Sequence, residues 1–263
     1  MSTGDVICEK HGQAGLIHLN RPKALNALTH DMVKMIRPAL AAWEQDPDIS
    51  RVIIDAEGER AFCAGGDIRQ VTEQGKSGQK NEAIQFWGDE YRLNTLIKTY
   101  KKPFIALIDG IVMGGGVGLS LHGHYRVAGD RYLFAMPEVS IGLFPDVGAT
   151  YALPRLQGES GLWLAMTGSR LNRADAMALG LATHAVSSAD MAQLKQELII
   201  GADIEPCLHR YKTESQFTSI PDLLPQIDHL FAVSDLEKLI KTLEQADHCL
   251  LYTSDAADDT PCV

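Results

Sequence analysis

Apolar positions along the chain fall into short runs whose period alternates between that of a strand and that of a helix. Residues 6–9 and 15–19 predict a short hairpin, followed by a polar, turn-forming segment at 20–26. Thr29 is placed to cap a helix running to about residue 44, with Met32, Met35, Ile36 and Leu40 at helical spacing. Residues 51–56 form an apolar strand, and the small-residue turn after it leads into a helix from Ile68. A longer amphipathic helix follows at 82–99, then a buried strand at 103–108 and a glycine-rich turn that starts a helix near 115–122. Two short strands at 125–128 and 133–135 are separated by a turn at 129–131. Helices at about 148–156, 159–167 and 173–179 and a strand-like segment at 182–186 complete this part.

Strands alternating with helices predict an α/β core over residues 1–186. Beyond 187 the character changes. Segments 191–200 and 236–246 look helical across a polar stretch containing Pro206 and Pro221, giving a helical C-terminal region at 187–250. Residues 251–263 have no periodicity and little apolar content, so they read as a non-native tail on a truncated chain with an incomplete helical region.

Composition narrows the function classes. A chain of 263 residues, 45% hydrophobic and 22% charged, can bury a full core. Its net charge of -10 argues against nucleic acid or an anionic membrane as partner, since both repel a surface of their own sign. Five cysteines at irregular spacings without a CxxC indicate neither a disulfide framework nor a zinc site. His122 and His124 form the only close histidine pair and lack a third ligand at a metal-site spacing, so no metal is expected. The opening residues lack a basic start followed by an apolar run, and no stretch reaches the length of a membrane span. With reduced thiols, this predicts a cytoplasmic protein whose mature form is the whole chain.

Three segments carry candidate chemistry. Between a buried strand and a helix, Gly114, Gly115, Gly116 and Gly118 let the backbone approach a ligand and aim N–H groups at developing negative charge; a packing turn is the plainer reading. No G-x-G-x-x-G fingerprint, P-loop lysine or G-x-S-x-G elbow is present. The second segment, 60–68, repeats the design with Ala64, Gly65 and Gly66, and two such donors could grip one oxygen. Cys63 has no histidine nearby in sequence to activate it and reads as a small buried apolar residue. The third segment sets Glu138 and Asp146 in apolar surroundings, where carboxyls serve as bases, nucleophiles or substrate-orienting groups, or simply begin helices after Pro137 and Pro145.

LNRPKALNAL, AFCAGGDI, an Asp-Gly-x-x-x-Gly-Gly-Gly turn and MPEVSIGLFPDVG, in that order, resemble the crotonase (enoyl-CoA hydratase/isomerase) superfamily over about residues 5–190. The resemblance implies a spiral of ββα repeats, assembly as a homo-oligomer, and an acyl-CoA thioester whose carbonyl is held between the N–H groups of Gly66 and Gly115. It further implies coenzyme A contacts at Lys23, Ala24 and Leu25 and at Ala64, Gly66, Asp67 and Ile68. Coenzyme A is then part of the substrate, and no separate cofactor is expected.

Within that superfamily the hydratases use two glutamates. Glu138 fills the first position here, but Gly118 stands at the second, which leaves the addition of water across a double bond without one acid/base partner. GGGVGLS, AMPEVSIGLFPDVG and DEYRLN resemble instead the 3-hydroxyisobutyryl-CoA hydrolase branch. That branch implies a thioester hydrolase of valine catabolism with substrate contacts at Glu90, Gly115, Glu138 and Asp146. Glu138 would attack the thioester carbonyl or activate a water, Asp146 would position the substrate's 3-hydroxyl, and Glu90 would assist from the pocket wall. Two alternatives stay open: an enoyl-CoA hydratase/isomerase reaction on another acyl-CoA, and a truncated, non-catalytic fragment that binds acyl-CoA.

Overall fold

The computed structural model describes residues 4–214, 218–233 and 235–245. The segment read as a non-native tail, 251–263, lies outside them, as do Cys249 and Cys262. Val6–His11 (β1) and Ala14–Leu19 (β2) form the expected antiparallel hairpin, Val6 opposite Leu19. Thr29 caps His30–Gln45 (α1) as expected, its hydroxyl accepting from the Met32 N–H at 3.3 Å. Met32, Val33, Ile36, Leu40 and Trp43 are the buried stripe of α1. Met35 is 46% exposed, because at 100° per residue it falls on the far side of Met32 from the rest of that stripe.

Then come Arg51–Ala56 (β3), Ala61–Cys63 (β4), Ile68–Lys76 (α2), Lys80–Lys98 (α3), Phe104–Ile108 (β5), Ile111–Met113 (β6), Gly115–Ser120 (α4), Tyr125–Ala128 (β7) and Leu133–Ala135 (β8). The chain continues through Ala149–Ala152 (α5), Ser160–Thr167 (α6), Leu171–Asn172 (β9), Arg173–Ala178 (α7), His184–Ala185 (β10), Met191–Ile199 (α8), Ile204–Arg210 (α9), Ile220–Phe231 (α10) and Leu236–Gln245 (α11). The helices α9 and α10 fall where the prolines suggested an irregular stretch. Pro206 and Pro221 lie in the first turns, where the missing N–H has no intrahelical partner to lose.

The strands build two sheets, ordered β1-β2-β3-β5-β7-β10 and β4-β6-β8-β9. After the β1–β2 hairpin, whose strands both lie in the six-stranded sheet, the first strand of each pair β3–β4, β5–β6 and β7–β8 joins that sheet and the second joins the four-stranded one. Pairing is parallel except for β1 with β2 and β8 with β9. This is the spiral of ββα repeats that the sequence motifs imply. Both faces of the large sheet are covered, as parallel strands require. In β3, Val52 and Ile54 join the core with Met32, Ile36 and Leu93, while Ile53 points the other way with Leu194, Leu198 and Leu208 of α8 and α9. Each such side chain contributes about 1.5–3 kcal/mol when fully buried, so α8 and α9 are part of what holds the sheet.

Candidate active site

The two glycine turns seen in the sequence meet because β4 and β6 are parallel neighbours with Cys63 opposite Val112. Three residues beyond these partners stand Gly66 and Gly115. A Cβ on Gly115 would lie 3.1 Å from the Gly66 nitrogen, so the two turns are in contact at backbone level. Gly65 (φ 120°) and Gly114 (φ 46°, ψ -119°) adopt conformations that side chains resist. Among the described residues, neither the Gly66 nor the Gly115 N–H has a protein acceptor.

Three carboxyls gather around these donors. Glu90 comes from α3 and is 2% exposed; its Oε1 would be 2.7 Å from a Cβ on Gly115. Glu138 comes from the 3₁₀ turn Pro137–Ile141 and is 7% exposed; its Oε1 would be 3.0 Å from a Cβ on Gly114. Asp146 sits in the following loop, and its Oδ2 accepts from the Tyr91 hydroxyl at 2.6 Å. Burial, reinforced by the charges of Asp146 and Glu138, pushes the Glu90 carboxyl up to about 8. Burial likewise raises Glu138 to about 7, opposed by a hydrogen bond to its own backbone and aided by Asp146. Both carboxyls are thus held well above the ordinary carboxylate range. Glu90 Oε1 and Glu138 Oε2 are buried without a hydrogen-bond partner.

The residues expected to touch coenzyme A form one continuous edge. The 20–28 segment is zipped onto the 63–68 turn by Ala64 N–H to Leu25 O (3.0 Å), Leu28 N–H to Gly65 O (2.8 Å) and Asp67 N–H to Leu28 O (2.9 Å). Lys23, Ala24 and Ile68 are exposed there, with Leu25, Ala64 and Gly66 half-buried. The zipping consumes the backbone donors of Ala64 and Asp67, and local turn bonds consume those of Ala24, Leu25 and Ile68, so that among the described residues the Lys23 and Gly66 N–H groups of the set have no protein acceptor. Asp67 has structural duties: Oδ1 caps α2 by accepting from Gln70 N–H (3.3 Å), and Oδ2 pairs with Arg21 (3.1 Å).

Several supporting residues were not foreseen. Tyr91 and Asn94 share α3 with Glu90, one and four positions on; their spacing carried that signal once Glu90 was placed inward. Val147 has φ 45°, a strained value for a β-branched residue, and its carbonyl is held by His122 Nε2 at 2.8 Å. Cys63 is buried and its thiol is pushed up to about 12, in keeping with an apolar packing role. Among the described residues no group of three or more His, Cys, Asp or Glu is arranged to hold a metal, and no helix is long and apolar enough to cross a membrane. Cavities of about 360 Å³, near Asp55, Arg131 and Lys195, and about 580 Å³, near Pro221 and Asp228, contain none of the three carboxyls.

The family model for enoyl-CoA hydratase/isomerase matches residues 14–258. The chain belongs to this family. Among curated relatives, the mitochondrial 3-hydroxyisobutyryl-CoA hydrolase of Xenopus tropicalis is 50% identical over 250 residues, covering 91% of this chain and 65% of the relative. The Homo sapiens enzyme of the same name is 46% identical, covering 92% and 65%. This family member therefore spans about 65% of the length of those relatives. Solved structures agree on the fold: an enoyl-CoA hydratase from Rhodobacter sphaeroides 2.4.1 superposes with a TM-score of 0.90 at 41% identity, covering 95% of this chain and 73% of that one. A carnitinyl-CoA dehydratase from Mycobacterium thermoresistibile gives 0.90 at 39%, covering 96% and 76%. The expectation of a cytoplasmic protein is overturned by the relatives, which are named mitochondrial. Free thiols and net charge do not distinguish one reducing compartment from another.

Proposed function

We propose that this chain hydrolyses a hydroxylated acyl-CoA thioester, with 3-hydroxyisobutyryl-CoA as substrate and 3-hydroxyisobutyrate and free coenzyme A as products. The observation that carries the reading is the convergence of Glu138, Glu90 and Asp146 on two glycine N–H groups without protein acceptors. The relatives' names supply the acyl group.

The thioester oxygen lies between the Gly66 and Gly115 N–H groups, which stabilise it most when it carries the full charge of the tetrahedral state; each such donor contributes about 10²–10³ in rate. Glu138, with its carboxyl near 7, is about half ionised at neutral pH. It either attacks the carbonyl carbon or takes the proton of a water that does. The C–S bond then breaks and coenzyme A leaves as a thiolate; where Glu138 attacked, the acyl group stays on it as an anhydride until a water adds, which gives 3-hydroxyisobutyrate and restores the Glu138 carboxylate, and in either route a proton from that water neutralises the thiolate. Glu90, still protonated at neutral pH, lines the wall as a hydrogen-bond donor. Asp146, steadied by Tyr91, accepts from the substrate's 3-hydroxyl. No cofactor beyond the coenzyme A of the substrate enters this scheme. The same reading expects a homo-oligomer, which sedimentation velocity measures directly.

Hydration of an enoyl-CoA is the second reading, because the two superposing structures are named a hydratase and a dehydratase. Against it, a side chain at position 118 has no room: its Cβ would stand 2.7 Å from Asn94 Nδ2 and 2.9 Å from Val147 Cβ. The deciding experiment follows thiol release from 3-hydroxyisobutyryl-CoA by the unaltered chain and by Glu138→Gln, with crotonyl-CoA hydration measured in parallel. Release that depends on Glu138, without crotonyl-CoA hydration, supports the hydrolase. Hydration of crotonyl-CoA supports the second reading. A folded chain silent on both substrates is an acyl-CoA-binding fragment.

A further inference from the structure

Among the described residues, Asn94 is the one side chain with two buried polar atoms that both lack a hydrogen-bond partner. It is 5% exposed, and both its carboxamide nitrogen and its carboxamide oxygen are buried without a hydrogen-bond partner. Buried polar groups are almost always satisfied, and an amide with neither end paired would ordinarily be replaced by leucine without loss of shape. Its position explains its presence. Asn94 lies four residues after Glu90 and three after Tyr91, so the three share a face of α3. Its Nδ2 reaches 2.7 Å from where a Cβ on Gly118 would be, and Val147, next to Asp146, closes on the same point. Tyr91 occupies Oδ2 of Asp146 and leaves Oδ1 uncommitted.

An acceptor from Asp146 and a donor from an unpaired amide, both bordering Val147, match an alcohol, which gives one hydrogen and accepts another. We propose that Asn94 is a specificity-determining residue: its Nδ2 donates to the acyl-chain hydroxyl that Asp146 accepts from, so that a hydroxylated acyl-CoA pairs a donor the protein leaves unpaired. The inference rests on the hydroxyacyl-CoA reading above and deepens it. It differs from that reading in what it demands of binding, since a site built to pair with a hydroxyl rejects the analogue lacking it.

The test is calorimetric titration of 3-hydroxyisobutyryl-CoA and of isobutyryl-CoA into Glu138→Gln protein, which blocks turnover, with and without Asn94→Leu. Asn94→Ala serves as the second variant if leucine does not fold, and thermal melting is recorded for each. With Asn94 present the hydroxylated ligand binds more tightly, by about ten- to hundredfold. With Asn94→Leu that ratio falls to within about threefold of unity while the deoxy ligand binds as before, and the melting temperature holds or rises because two unpaired groups are gone. A merely structural asparagine gives the opposite pattern: the melting temperature drops and both ligands weaken together. That result overturns the inference, as do an unchanged ratio and a failure of 3-hydroxyisobutyryl-CoA to bind. Thiol release by the unaltered chain stands as the separate test of the hydrolase reading, because a chain that binds with hydroxyl preference and releases no thiol refutes only the chemistry.

Discussion

Glu90 offers the sharpest physical prediction. Its carboxyl is raised from the ordinary 4.5 to about 8 in the folded chain, chiefly by burial and then by the charges of Asp146 and Glu138. Between those two values the folded state keeps a proton that the unfolded chain has released, so stability declines as pH rises through that window. At about 1.4 kcal/mol per tenfold change in proton affinity, the penalty is absent near pH 4, about 3 kcal/mol at pH 7 and about 5 kcal/mol once Glu90 is ionised. Glu90→Gln keeps the shape of the side chain and cannot ionise. The two proteins are therefore expected to match in stability near pH 4.5 and to diverge steadily above it, the variant being several kcal/mol more stable at pH 9. Urea unfolding followed by circular dichroism at unit steps from pH 5 to 9 measures the divergence. Against a total stability of about 5–15 kcal/mol the effect is large. Parallel curves for the two proteins across that range would refute the burial argument, and with it the placement of Glu90 against Gly115.

Activity is expected to rise with pH around a midpoint near 7 as Glu138 loses its proton, and Glu138→Gln is expected to abolish both the activity and that limb of the profile; initial rates between pH 5.5 and 8.5 decide it. Tyr91→Phe frees Asp146 Oδ2 from its 2.6 Å bond, which should raise KM for the hydroxyacyl substrate about tenfold with little change in folding, read from steady-state kinetics. Gly114→Ala would force a methyl group to 3.0 Å from Glu138 Oε1 at φ 46°; a loss of about 1–3 kcal/mol in stability and of most activity is expected from unfolding curves and thiol release. Cys63→Ala should retain activity, since the thiol is buried and pushed up to about 12; a large loss of thiol release would return Cys63 to the chemistry.

Many of the longer elements were legible in the sequence, with bounds within a few residues of the structure, as for the helices that Thr29 and Asp67 cap, whereas α9 and α10 were hidden by their prolines. The strands β4, β6 and β9 were not: two or three residues cannot display a period-two alternation, and these lacked the flanking turn or apolar run that marked the equally short β8 and β10. Their absence hid the second sheet and the register that brings Gly66 and Gly115 together. Glu138 and Asp146 stood out as acids in an apolar run, though helix starts after proline explained them equally well until the family motifs were considered. Glu90 had no such signal. On an amphipathic helix a glutamate is normally a solvent-facing residue, and only the packing of α3 against α4 turns it inward. Tyr91, Asn94 and His122 act through contacts between distant segments, to which local pattern is blind.

The pairing of β4 with β6 also sets a fixed ruler. Successive repeats of the spiral deliver the same kind of turn at the same end of adjacent strands, so the gap between the two N–H donors is tied to the strand spacing of about 4.7–4.9 Å. Point changes cannot retune a length owned by the whole sheet. On the proposed reading, a grip on one oxygen would thereby be insulated from drift in the pocket around it, and the acids and amides contributed by α3 and the 137–147 segment would be the interchangeable parts. A repeating backbone of this kind can exchange one acyl reaction for another by altering a few inward side chains, without rebuilding the element that every such reaction needs first.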